Sequence, residues 1–130
     1  MHRTLLLLGV ILMGLLVITG CRKTVPIENP TVTSAKTYKL SDVKDAIFVA
    51  CPITHWVAKD VDQNTIEATL NIRGHQATVT IPYSTTGFSI QYKSSVNLDS
   101  ADGKIHPNYN RWVNYLRDNI NTVLATKPGV

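Results

Sequence analysis

Hydrophobic residues recur along this chain in three rhythms, and each rhythm predicts a different kind of element. Over residues 5–18 the rhythm is continuous, with 14 residues drawn only from Leu, Gly, Val, Ile and Met. As a helix this run would measure roughly 21 Å at about 1.5 Å per residue, which is short for a bilayer crossing. Further on the period becomes helical. Leu40, Val43, Ile47 and Ala50 share one face, with Ala46 beside them. Ser41 is placed to cap this segment, Leu40 to begin a hydrophobic staple and Pro52 to stop it, which predicts a helix over 42–51. The period then falls to two. Residues 56–61 form one candidate strand. In 65–72, Ile66, Ala68, Leu70 and Ile72 face one way and Thr65, Glu67, Thr69 and Asn71 the other. Arg73 and Gly74 suit a tight turn. Ala77, Val79 and Ile81 continue the alternation until Pro82, which is expected to end the ladder. After a loop through Gly87, the pattern resumes at Phe88, Ile90 and Tyr92.

The last segment returns to helical spacing. Tyr109, Trp112, Val113, Leu116, Ile120, Val123 and Leu124 fall within an arc of about 120° on a helical wheel. Asn110, Asn114, Arg117, Asp118 and Asn121 lie off that arc, and Pro107 suits the first turn. A sheet with one apolar face needs a cover, and two amphipathic helices supply it. The expected fold is therefore α+β: a two-layer domain with an antiparallel three- to four-stranded meander and two helices on one face.

The apolar run gains meaning from its flanks. Met1, His2 and Arg3 precede it, and Ile18, Thr19, Gly20 and Cys21 follow. Charge, a short apolar run, a small residue and a cysteine in this order resemble the signal peptide and lipobox of a bacterial lipoprotein. The resemblance implies cleavage before Cys21 and acylation of its sulfur. One acyl chain holds a protein only marginally, whereas two or more anchor it firmly. Arg22 rather than Asp follows the cysteine, which by likeness to lipoprotein sorting implies the outer membrane, with the domain facing the periplasm. The chain then divides into a signal peptide over 1–20, an acylated cysteine and tether over 21–37, one domain over 38–125 and a tail over 126–130. Pro26, Pro30 and polar neighbours make the tether extended, and residues 31–35 can add an edge strand.

Charge narrows the partners. The chain carries a formal +4, but Arg3, Arg22, Lys23 and Lys127 lie in the flanks. Residues 36–125 hold nine Lys or Arg against eight Asp or Glu, too balanced for the concentrated basic footprint that nucleic acid requires. With Cys21 acylated, Cys51 has no disulfide partner in the mature chain, and burial is the expected way to keep a lone thiol inert. His55, His75 and His106 lack zinc-ligand spacing. Asp99, Asp102 and Gly103 have the flavour of a calcium loop without its later bidentate Glu and read as a turn. No phosphate loop, nucleophile elbow or Cys–His pairing is visible, so neither cofactor nor catalytic set is expected.

Four stretches carry a second likeness: Asn71-Ile72-Arg73-Gly74-His75, Ile81-Pro82-Tyr83, Tyr92, and Ile105-His106-Pro107-Asn108-Tyr109-Asn110-Arg111-Trp112. Together they resemble a family of small bacterial envelope lipoproteins with a His-x-Asn-Tyr-Asn-x-Trp block opening the last helix. That resemblance supports the domain outline and an envelope location, and implies no catalytic residues. The polar groups of the block offer donors and acceptors near a helix N-terminus, where an anion is welcome. Tyr109 and Trp112 can equally anchor the helix while His106 or Asn108 caps it. Arg73, His75, Tyr83, His106, Asn108, Asn110 and Arg111 are the candidate binding residues. The function expected is a non-catalytic, lipid-anchored envelope module that contacts another envelope protein or a cell-wall component. The alternative is a binder of small ligands or cell-wall fragments, which requires these groups to converge on one hollow.

Overall fold

A computed structural model describes residues 23–130, so the expected signal peptide and Cys21 lie outside the described residues. Two strands come first, β1 (Val25–Pro26) and β2 (Thr31–Thr33), followed by helix α1 (Leu40–Ile53). The centre of the fold is β3 (Trp56–Asp62), β4 (Thr65–Ile72), β5 (His75–Ser84), β6 (Gly87–Ser89) and β7 (Gln91–Val96). A short β8 (Lys104–Ile105) leads into α2 (Pro107–Leu124). The fold is α+β with both helices on one side of an antiparallel sheet. That sheet has six strands, more than the alternation alone predicts, and β1 with β8 forms a separate two-stranded ladder.

The apolar alternation does what its period requires. Ile66, Ala68 and Leu70 of β4 and Ala77, Val79 and Ile81 of β5 are buried together with Trp56 on β3. Val43, Ala46, Ile47 and Ala50 of α1 and Tyr109, Val113, Leu116 and Ile120 of α2 close over them. The opposite face is polar. There Glu67 of β4 bridges Lys59 of the adjacent β3 and Lys93 of β7, which lies beyond β5, and these two ammonium groups hold its carboxyl below the usual range. Asp60, within the expected strand, sits in β3 and pairs with Lys44 of α1 at 2.9 Å.

Three boundaries differ from expectation. Helix α1 begins at Leu40 with Lys39 as N-cap and no side-chain cap, so Ser41 lies inside the first turn. Pro52 is within the last turn. The helix stops two residues later, where Thr54 Oγ1 donates to the carbonyls of Ala50 and Cys51 and His55 takes φ 68°. Strand β5 runs through Pro82 to Ser84. The Tyr83 N–H bonds the Asn64 carbonyl on the β4 side, so Pro82, one residue earlier, turns its missing N–H the other way. On that side it falls between the Thr80↔Gln91 pair with β7 and the Tyr83↔Phe88 pair with β6, where no ladder bond is needed.

The segment read as a tether is part of the folded unit from Val25 onward. Val25 pairs with Ile105, and Ile27 N–H bonds the Gly103 carbonyl at 2.9 Å. Asn29 Oδ1 accepts from Tyr92 N–H at 2.8 Å, and the Pro30 carbonyl accepts from Ile90 N–H at 2.9 Å. Strand β2 then pairs with β6 as an edge strand. The last residues are tied down too, with Val130 N–H on the Thr37 carbonyl and Lys127 paired with Asp45. Among the described residues no helix is long and apolar enough to cross a membrane.

Candidate functional site

The turn between β4 and β5 is built on residues with positive φ, Arg73 at 50° and Gly74 at 79°. This is the geometry of the two-residue hairpin that the sequence predicts. Two hydrogen bonds fasten it to the end of β7. His75 Nδ1 donates to the Asn97 carbonyl at 2.6 Å, and Asn97 Nδ2 donates to the Gly74 carbonyl at 3.0 Å. A carbonyl can only accept, so the proton of His75 sits on Nδ1 and its Nε2 carries a lone pair in the neutral ring. The Trp112 ring of α2 stands 6.3 Å from the His75 ring.

His106 occupies the N-cap of α2, and its Nδ1 accepts from Asn108 N–H at 3.1 Å. The neutral proton is therefore on Nε2, the opposite tautomer to His75. The capping role foreseen for His106 or Asn108 thus belongs to His106. No acidic residue sits in the first turn of α2, so the positive end of the helix dipole has no carboxylate of its own to face.

Two adjoining hollows result, and His75 lines both. The larger, about 470 Å³, is bounded by Ile72, Arg73, His75, Asn108, Arg111, Trp112 and Tyr115. The other, about 430 Å³, is bounded by Lys23, His75, Asn97, Asp99, His106 and Pro107. The larger hollow contains two guanidinium groups, the rings of His75, Trp112 and Tyr115, and no carboxylate. Arg73 and Arg111 are exposed. An anion with a flat apolar portion suits this lining: charge-assisted bonds to Arg at one edge and ring contact at the other.

Five of the seven sequence candidates therefore come together: Arg73, His75, His106, Asn108 and Arg111. Two do not. Tyr83 lies at the far end of β5, eight residues from His75, or roughly 26 Å at about 3.3 Å per residue. It borders a third hollow with Thr31 and Phe88, and its hydroxyl donates to the Gln63 carbonyl. Asn110 is buried and structural. Its Nδ2 donates to the Pro26 carbonyl at 2.9 Å and its Oδ1 accepts from Glu28 N–H at 3.1 Å. Tyr115 and Lys23 line the hollows without having been candidates. Tyr115 was legible, since it stands four residues after Arg111 on the same helical face. Lys23 was not, because its neighbours are distant in sequence.

Cys51 and Tyr109 are buried and far from these hollows in character. Burial pushes the Cys51 thiol up to about 12, which leaves almost no thiolate at neutral pH. Burial, with the nearby Tyr92, also raises Tyr109, whose ring meets Tyr92 edge-on at 5.5 Å. Among the described residues no three His, Cys, Asp or Glu side chains group to hold a metal. The Asp102–Gly103 pair forms a hairpin turn closed by reciprocal bonds between Ala101 and Lys104. No family model matches the chain, and no curated protein and no solved structure is detectably similar to it.

Proposed function

We propose that the chain is a non-catalytic, lipid-anchored protein of the bacterial envelope, held to the outer membrane by acyl chains on Cys21, whose domain binds an anionic envelope component. The single observation that carries the binding reading is the convergence of Arg73, Arg111, Asn108, Trp112 and Tyr115 on one open hollow beside the start of α2, whose first turn carries no acidic residue. These residues come from two elements far apart in sequence, and neither guanidinium has a partner among the described residues. The resemblance of the His106, Asn108, Tyr109, Asn110 and Trp112 block to small envelope lipoproteins supports the same location. Hollows of this size suit a headgroup, a peptide carboxylate or a sugar acid.

The test is photo-crosslinking in the native host from position 115, replacing Tyr115 with a photoreactive residue. A defined adduct that weakens when Arg73 and Arg111 are both changed to Gln supports the reading. An adduct pattern no different from that of a probe at Thr69, on the opposite polar face, would overturn it.

A further inference from the structure

The place where the chain enters the domain has a consequence for the occupant of the hollow. Lys23 lines the hollow that shares His75 with the Arg73–Arg111 hollow. Cys21 is two residues earlier in the sequence, and two residues of chain span at most about 7 Å. From Val25 the chain is paired to β8, and from Ile27 to Thr33 it is hydrogen-bonded to the domain almost residue by residue. A protein held by Cys21 therefore has little slack between lipid and domain. The end of the molecule made by the turn at 73–74, residue 97 and the start of α2 is the end that the anchor draws to the membrane.

That end has the chemistry of a membrane contact. Lys23, Arg73 and Arg111 supply positive charge. Tyr115 is 57% exposed and Val96, beside Asn97, is 54% exposed. Trp112 is half-buried at the edge of the larger hollow. Tyr and Trp rings favour the headgroup layer, where an apolar body and a polar tip are both accommodated. Asp99 contributes one carboxylate to the Lys23 hollow and is itself engaged in an interaction; the larger hollow has none.

Resting on the anchored reading above, we infer that the occupant of the larger hollow is the phosphate headgroup of an anionic phospholipid in the membrane that holds Cys21. The domain docks by this end on its own membrane through Arg73, Arg111, Trp112 and Tyr115, and Lys23 meets the same surface beside it. Each basic side chain at such a surface favours the docked state roughly fivefold, so the contact fixes orientation while the acyl chains supply retention.

The experiment uses the acylated full-length mature protein in lipid nanodiscs, one set containing phosphatidylglycerol and one wholly zwitterionic, each with a nitroxide quencher at headgroup depth. The chain has two tryptophans. Trp56 is buried at 2% exposure and serves as the unquenched reference, leaving Trp112 as the reporter. Quenching that requires phosphatidylglycerol, and that falls to the zwitterionic level in the Arg73→Gln, Arg111→Gln double variant, is the expected result. Two neutralised arginines should shift the docked-to-undocked ratio about 25-fold. Equal quenching in both lipid mixtures, or in wild type and double variant, would overturn the inference. If the crosslink from position 115 instead captures a protein or a glycan, the hollow is a binding site but not for lipid; the inference then fails while the binding reading survives.

Discussion

Replacing Asn110 with Ala should release the N-terminal segment from the domain. Asn110 is 8% exposed and makes two hydrogen bonds across 82 and 84 residues of sequence. The Ala variant leaves the Pro26 carbonyl and the Glu28 N–H without partners. Each lost bond is worth about 1 kcal/mol net, and both bonds are only part-buried with Pro26 and Glu28 exposed, so the total is about 2–3 kcal/mol. The loss is local first. Ile27, whose N–H bonds Gly103, and Glu28 lie beside the deleted amide, so opening of residues 25–30 should become easier by the lower end of that range. A change of 2 kcal/mol corresponds to about a 30-fold rise in amide exchange. The assay is hydrogen exchange on residues 25–33 compared with Val79 and Leu70 in the sheet, alongside urea unfolding. Asn110→Asp separates the two bonds: it keeps an acceptor for Glu28 N–H but sets a second acceptor against the Pro26 carbonyl, and should protect Glu28 better than Pro26's neighbours. An Ala variant with unchanged exchange over 25–30 and a urea midpoint equal to wild type would refute the clamp.

Further outcomes follow from the same geometry. Gly87→Ala places a Cβ 1.9 Å from the Val32 carbonyl oxygen, so β2 must leave β6; a loss of about 3 kcal/mol is expected by urea unfolding, with exchange at Val32 approaching that of a free segment. His106→Ala should cost about 1 kcal/mol by removing the acceptor for Asn108 N–H, and His106→Asn should restore most of it, read as paired urea midpoints. The Cys51 thiol has its folded pKa raised from 9.0 to about 12, so the folded state keeps a proton that the unfolded state has lost between those values. Its contribution is complete below pH 9 and falls by about 1.4 kcal/mol per pH unit from there toward 12. Tyr109 is shifted in the same direction, so Cys51→Ala should reduce, and not abolish, the alkaline loss of stability measured by denaturation from pH 8 to 11.

The parts of the fold that could be read from the sequence are those whose signal is local. Strand β4 was expected over 65–72 and spans Thr65–Ile72, because eight residues alternate without a break. Helix α2 follows from its apolar arc, with Pro107 at its start. Strand β2, at Thr31–Thr33, falls within the 31–35 segment expected to add an edge strand, whereas β1 is only two residues long, too short for a period, and is held by partners about 80 residues away. Asn110 misleads for the same reason. It lies off the apolar arc of α2, yet it is buried because the N-terminal segment covers it and offers it a donor and an acceptor. Pro82 misleads because a break in a neighbouring ladder is invisible from within β5.

The candidate site was half legible. Residue types favouring an anion were recognisable at Arg73, His75 and the block opening α2, since turn chemistry and helix starts are local features. Their meeting depends on β4 and β5 ending level with the start of α2, which no sequence period encodes. Tyr83 belongs to the same face of β5 as His75 but to its opposite end, so shared parity did not mean shared position.

The functional account stands or falls on the anchor that puts the Lys23 end of the domain at a membrane. Intact-mass spectrometry of the protein purified from its native membranes tests this most directly. The expected mass is that of a chain beginning at Cys21 and carrying a diacylglyceryl group, with further mass for an N-acyl chain. A chain that retains Met1, or that begins at Cys21 with an unmodified thiol, would contradict it.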